Sequence, residues 1–383
     1  MKILFVASLH HPEGRLPSAF VADRTDPLFP TSQMHRFWVK SLRALGHECA
    51  VFWRSTGAGW FGRARALRMT SRLTPLRALN ALAAARPRAN PILRRRNRLL
   101  LQAASRYEPD VVVLTGGNDV VLPGTLEAIR SRHGARIVYA SGTSPVVFAR
   151  PIERDAAPLY DLVLVNDHSH GVQWRELGAP RAEVLPLAAI DREFHHPRRD
   201  GGDDGRVAFV GTLIPERLYS ERIDALTALA DGPLDVWSVH AVPPRLTAAH
   251  RGAALGAGMV EILRHAAIAV NPHGNFMRYG GNMRLFEACG VGTLQIADDR
   301  PAVREWFVPG AHLLTYRTPA ELRELTDAYL RDPSARRRIA ESGCAHVHAH
   351  HTYDHRMRRL VDLLKSAGEV RPGEGRTNAG RRA

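Results

Sequence analysis

From residue 268 to 297 the chain reads IAVNPHGNFMRYGGNMRLFEACGVGTLQIA. An apolar run over 268–271 enters a loop containing Gly280 and Gly281, and helical spacing follows over 282–289, starting at Asn282. Glycines let backbone N–H groups approach an anion closely, and a helix start adds about half a positive charge. Arg284 falls in the first turn, where its guanidinium reinforces a phosphate site. Glu287, three residues on, shares that face. A carboxylate there accepts from both of two vicinal hydroxyls. Phosphate at the helix tip with ribose one turn along is the geometry of a nucleoside diphosphate. The plainer alternative is an intrahelical surface ion pair contributing about 0.2–0.5 kcal/mol.

Other residues sit where α/β proteins bind ligands, at the carboxyl ends of expected strands. Gly211 ends the apolar run at 207–210, and Arg217 and Arg222 follow on the next element. His273 and Asn275 occupy the loop before Gly280, either to touch a ligand or to satisfy loop backbone. In the first half His10, His11 and Glu13 follow the run at 3–7. Ser32, Gln33 and His35 open a helix, and Gly116, Gly117, Asn118 and Asp119 follow another strand. His11, His35 and Asp119 are candidates for a general base, with loop capping as the structural alternative. His346 and His350, like His351 and His355, are four residues apart. No cysteine or paired acid completes a zinc spacing around them, so no metal is assigned.

These residues need elements to hold them. Strand signals fall at 3–7, 49–53, 111–114, 137–140 and 162–165, and again at 207–210, 234–237, 268–271 and 293–297. Helical stretches fall at 32–45, 126–132, 320–330 and 334–342. Such alternation gives parallel sheets wrapped by helices. Residues 194–206, FHHPRRDGGDDGR, lack periodicity and read as a linker. The expected organisation is a domain over 1–193, a linker over 194–206, a second domain over 207–366 and a disordered Gly/Arg-rich tail over 367–383.

The motif over 282–292, N-x-R-x-F-E-A-x-x-x-G, resembles the nucleotide-sugar motif of GT-B glycosyltransferases, closest to the spore-maturation-type group. VAFVGT at 207–212 with Tyr219 and Arg222, REWFVPGAHLLTYRTPAEL at 304–322, YLRDPSARRRIAESG at 329–343 and HHTYDHR at 350–356 resemble further stretches of that family. In the first half the likeness is loose, through FPTSQMHRFW and LRALGH. The resemblance implies an α/β GT-B fold of two Rossmann-like domains facing a cleft, with the acceptor on the N-terminal side. It implies metal-independent hexosyl transfer from a nucleoside-diphosphate sugar to an acceptor such as a cell-envelope glycan or secondary metabolite, in a bacterial cytoplasm. The nucleotide sugar is then a co-substrate, with no separate cofactor. It makes Arg222 a pyrophosphate ligand and Gly211, His273, Gly280, Gly281, Asn282, Arg284 and Glu287 the donor site. Many retaining members carry E-x7-E. Here Tyr279 stands where the first acid would be.

Composition sets the remaining bounds. The 383 residues suit two domains. The apolar start, followed at once by His10-His11-Pro12, reads as a first strand and not as a leader. Three widely spaced cysteines make neither a disulfide framework nor a zinc pattern. The formal charge of +15 points to an anionic partner. Between Glu48 and Glu108 there is no acid, and arginines interleave with leucines. This basic helical insertion, about 61–106, either covers the first sheet or docks peripherally on anionic lipid. Neither half carries a dinucleotide fingerprint, which weighs against an oxidoreductase. A non-catalytic nucleotide- or sugar-binding protein is the second reading. No nucleic acid is expected, because no RNA-binding motif with interleaved aromatics is present.

Overall fold

The computed structural model describes residues 1–7, 20–21, 33–53, 91–118, 120–198 and 202–366. The first half contains β1 (Lys2–Ala7), β2 (Phe20–Val21), β3 (Glu48–Trp53), β4 (Val111–Thr115), β5 (Arg136–Ser141), β6 (Leu162–Val165) and β7 (Ala182–Val184). Around them lie α1 (Gln33–Ala44), α2 (Pro91–Tyr107), α3 (Pro123–His133), α4 (Pro151–Asp155) and α5 (His168–Glu176). The sheet runs β2-β3-β1-β4-β5-β6-β7, parallel except for β2 against β3. Both faces are covered, which is why its strands read as unbroken apolar runs. Ile3, Phe5 and Ala7 pack with Trp38 and Leu42 of α1. Leu4 and Val6 point the other way, toward Leu100 and Ala104 of α2 and Leu126 of α3.

The second half contains β8 (Val207–Val210), β9 (Leu234–Trp237), β10 (His250–Gly252), β11 (Ile268–Asn271), β12 (Leu294–Asp298) and β13 (Leu314–Tyr316). They form a parallel sheet in the order β10-β9-β8-β11-β12-β13. Its helices are α6 (Ser220–Thr227), α7 (Gly256–His265), α8 (Arg284–Gly290), α9 (Pro301–Trp306), α10 (Pro319–Arg331), α11 (Pro333–His350) and α12 (Tyr353–Ser366). Helix α12 leaves this half. Met357, Leu360 and Leu364 pack into the first sheet's core, and Ser41 of α1 donates to Asp354 at 2.6 Å. The chain therefore crosses between the halves twice, and the crossings pair. Ile190 and Thr352 form a parallel bridge, with Ile190 N–H to His351 O at 3.0 Å and Tyr353 N–H to Ile190 O at 2.9 Å.

Two helix boundaries differ from expectation. The stretch expected to stop at 342 continues to His350. Gly343 is not a breaker there, because a Cβ on it would lie 2.1 Å from the carbonyl oxygen of His312, so the residue marks close packing. Helix α8 starts at Arg284, two residues later than the spacing suggests. Of the basic insertion, α2 is described and 61–90 lies outside the described residues. Arg94, Arg95, Arg98 and Arg106 are exposed on α2, while Leu100, Ala103 and Ala104 are buried.

Candidate functional site

The glycine loop and α8 lie at the carboxyl end of β11, against the end of β8. Asn282 ends the loop as a cap. Its Oδ1 accepts the Leu285 N–H at 3.1 Å, and its amide exchanges bonds with Asn271 at 2.6 and 3.0 Å. An asparagine in this role satisfies one of the orphan N–H groups of a helix start. That is why the turn over 282–283 precedes the helix and the tip is displaced.

Arg284 and Glu287 form the expected pair, but not on the surface. The Glu287 side chain is only 6% exposed. Arg284 Nη1 donates to Glu287 Oε2, and its Nε donates to Val210 O at 3.2 Å. A buried pair of this kind is costly to break, because one partner would be left charged and unpaired. Glu287 Oε1 and Arg284 Nη2 have no hydrogen-bond partner among the described residues. His195, from the chain between the halves, lies close enough to feel the Glu287 charge, yet burial holds its pKa below the ordinary histidine value.

Arg222 of α6 is buried beside this pair. Its Nε donates to Pro272 O at 2.8 Å and its Nη1 to Thr212 O at 2.7 Å. Its guanidinium stands 4.8 Å from the Tyr219 ring centroid and 5.5 Å from that of Phe209. Burial pushes its pKa down to about 10, so it stays charged at neutral pH. Nη2 has no hydrogen-bond partner among the described residues. Arg217 is exposed. At Gly211 a Cβ would lie 2.8 Å from the ring of Phe209. The glycine makes space for a side chain of its own strand.

Four of the loop's amides, those of Tyr279, Gly280, Gly281 and Asn282, are taken by side chains. His273 is fully buried and its Nδ1 is bound to Asp298 Oδ1. That bond fixes the proton on Nδ1 and leaves Nε2 as an acceptor. Nε2 receives the N–H groups of Gly281 at 3.2 Å and Asn282 at 3.5 Å. Burial works to raise the Asp298 pKa, but His273 and Arg300 more than offset it and hold the carboxyl well below the usual range. Asn275 bonds to Ser220 Oγ at 2.8 Å and accepts from Glu221 N–H at 3.3 Å, so it serves the start of α6. The other two amides go to the opposite half. Asp167, which precedes α5, accepts from Tyr279 N–H at 2.8 Å and Gly280 N–H at 3.3 Å through Oδ2. Gly280 and Gly281 have φ of +103° and +105°, and a Cβ on Gly281 would lie 2.8 Å from the carbonyl oxygen of Asn166. The missing side chain of Gly281 admits the other half's backbone, and that of Gly280 admits Arg300 of its own half, at 2.9 Å.

Comparisons with known proteins fit this arrangement. A family model described as glycosyl transferase-like matches residues 216–362. Sucrose-phosphate synthase from Thermosynechococcus elongatus superposes with a TM-score of 0.62 at 13% identity, covering 96% of this chain and 99% of its own. The Anabaena protein Alr3699/HepE in complex with UDP gives 0.58 at 13% identity, covering 96% and 100%. An E. coli structure titled trehalose-6-phosphate, bound with UDP-2-fluoro glucose, gives 0.56 at 13% identity, covering 97% and 100%. No curated protein sequence matches. The chain has the GT-B fold, with a glycosyl transferase-like region in its C-terminal half.

The remaining candidates belong to the first half of the sequence. His11 and Asp119 lie outside the described residues, as do His10, Glu13 and Ser32. His35 is buried on α1, 1% exposed, so it does not open to solvent as a base in the cleft must. Asn118 is buried and bonds to the backbone of Val121, while its own N–H donates to Glu153 Oε1 at 2.9 Å. Glu153 also accepts the Arg150 N–H at 2.9 Å and the Tyr139 hydroxyl, holding the turn at Gly116 and Gly117 from within the same half. His346 and His351 both reach Trp306 O, at 2.7 and 3.3 Å. Among the described residues no group of three or more His, Cys, Asp or Glu side chains is placed to hold a metal. Sequence reasoning passed over Asp167, His168 and Glu305. The signal for the first two was Asn166-Asp167-His168 directly after the apolar run at 162–165, at a strand's carboxyl end, and Glu305 stood inside the stretch at 304–322.

Proposed function

We propose that this GT-B chain transfers a sugar from a nucleoside-diphosphate sugar to an acceptor held by the N-terminal half. The observation that carries the reading is the buried group of Arg222, Arg284 and Glu287 at the carboxyl ends of β8 and β11. Each keeps one polar atom without a partner among the described residues. Two guanidinium edges suit a diphosphate, and the carboxylate oxygen suits a ribose diol. The UDP and UDP-glucose of the Anabaena complexes support the same donor class. Gly211, His273, Gly280, Gly281 and Asn282 act behind these three, by shaping and anchoring the loop. With arginines balancing the phosphates, transfer proceeds without a divalent ion and survives EDTA. We place the acceptor domain at 1–193, the linker at 194–206 and the donor domain at 207–366.

Calorimetric titration of UDP into wild type and Glu287→Gln tests the assignment. Hydrogen bonds to a charged group contribute about 1.5–3 kcal/mol, so affinity falls about tenfold to a hundredfold. Glu341→Gln, on the exposed side of α11, leaves it unchanged. Wild-type affinity in Glu287→Gln removes the ribose role. No helix of the described residues is long and apolar enough to cross a membrane. The exposed arginines of α2 support a peripheral cytoplasmic contact with anionic lipid. Binding to acidic vesicles then weakens with salt, which screens exposed charges within about 10 Å at 0.1 M.

A further inference from the structure

His168, Tyr279 and Glu305 meet where the two halves close on each other. His168 opens α5 at the carboxyl end of β6, and its side chain is 54% exposed. Its ring stands edge-on to the Tyr279 ring, with centroids 4.4 Å apart. The Tyr279 hydroxyl donates to Glu305 Oε2, and that same oxygen lies 3.8 Å from His168 Nε2. His168 Nδ1 has no hydrogen-bond partner among the described residues. The backbone beneath is pinned from both sides. Asp167 Oδ1 caps Ser169 at 2.8 Å, while Oδ2 holds Tyr279 and Gly280. An imidazole with one nitrogen beside a carboxylate and the other open is thus held against the glycine loop, and only while the halves are together.

We propose that His168 is the general base of the transfer, with Glu305 as its positioning residue and Tyr279 holding Glu305 in place. This rests on the nucleotide-sugar reading above. With Nε2 turned toward the Glu305 carboxylate, 3.8 Å away, the tautomer that acts is the one with its proton on Nε2, and Nδ1 offers its lone pair. Nδ1 removes the proton of the acceptor hydroxyl as that oxygen bonds to the anomeric carbon. The bond from that carbon to the diphosphate oxygen breaks, and its electron pair leaves with the nucleoside diphosphate. His168 ends as an imidazolium beside Glu305. The charge facing it is Glu305 of α9. Tyr279 remains a neutral donor, its pKa pushed up to about 12 chiefly by the bond to Glu305. A single displacement of this kind inverts the anomeric configuration.

Water is a sufficient acceptor for the test. Nucleotide release from UDP-, dTDP- and GDP-α-glucose is followed from pH 5 to 9, with the released anomer read by NMR. His168→Gln lowers release about 100-fold or more and leaves UDP affinity within twofold. Glu305→Gln lowers kcat for release about tenfold and leaves the donor KM within twofold, the split expected of a residue that orients the base. The glucose appears first as the β anomer. Release by His168→Gln within threefold of wild type, an unchanged kcat in Glu305→Gln, or α-glucose overturns the assignment. So does a wild type that binds UDP but releases nothing from any of the three donors. A wild type that binds none of them overturns the donor reading instead.

Discussion

Two loops of this molecule share one design. Each follows the carboxyl end of a parallel strand, each contains two glycines at positive φ, and each gives its amides to a buried carboxylate. In the loop after β4 the acid is Glu153, which binds Asn118 N–H from the same half. In the loop after β11 it is Asp167, which reaches across from the other half. The glycines differ in consequence. A Cβ on Gly117 would meet Glu153 Oε1 at 3.6 Å, an ordinary contact, whereas one on Gly281 would meet Asn166 O at 2.8 Å and Trp306 at 2.7 Å. The first loop is a finished part of its half. The second has its observed shape only when the halves are in contact, so the geometry of the candidate donor site depends on closure.

The largest expected effect breaks the first loop. Glu153→Ala removes the acceptor of two backbone N–H groups and the Tyr139 hydroxyl. Unfolding in urea should show a loss of about 3 kcal/mol or more. UDP affinity, measured on folded protein, should stay within threefold. A stability change below about 1 kcal/mol would show that the loop is not held this way.

The glycines come next. Gly281→Ala adds a clash to a strained φ and is expected to cost about 2–3 kcal/mol, with loss of UDP binding in calorimetry. Gly117→Ala meets only the φ penalty, about 1–2 kcal/mol. Equal losses in the two variants would mean that the contact with Asn166 is not close in solution.

Acid sensitivity separates the loops from the crossing behind them. Burial, helped by Arg356 and His346, pushes the His351 pKa down to about 3. The unfolded chain binds this proton below about 6.5, while the folded chain stays neutral. Stability is therefore full above pH 6.5 and declines as pH falls toward 3, by about 1.4 kcal/mol per unit. His351→Asn should flatten that slope between pH 6 and 4. An unchanged slope would place the acid-labile group elsewhere.

The smallest effect is on Asp167. Asp167→Asn keeps an acceptor but loses its charge, at a cost of about 1 kcal/mol. The informative readout is local. Amide exchange at Tyr279 and Gly280 should accelerate about tenfold, while exchange at Asn118 stays as in wild type. Acceleration at both loops would mean that Asp167 supports the whole fold and not the meeting of the halves.

These contrasts show what the sequence could and could not carry. The strand at 3–7 was legible because a sheet covered on both faces leaves an unbroken apolar run. The glycines at 280 and 281 were legible as places of close approach, but the Asp167 carboxylate that takes the Gly280 N–H and the Asn166 carbonyl beside Gly281 were not. Asp167 is 112 residues from Tyr279, and nothing local announces that pairing. The alternative reading of Glu287, as half of a surface pair, arose because helical spacing says nothing of what covers the helix. His195 and Tyr353 of α12, neither of which lies near it in sequence, are close enough to feel its charge. The cap at Asn282 moved a helix start by two residues for a reason local enough to have been seen.

The paired crossing at Ile190 and Thr352 has a mechanical consequence. Two chain segments lying side by side and bridged in parallel act as a strap and not as a single swivel. A strap bends readily about one line and resists twist, because twisting would shear the N–H to carbonyl bonds between its members. Opening of the cleft is then confined to one degree of freedom, and each closure returns Asp167 to the same two amides without a search over orientations.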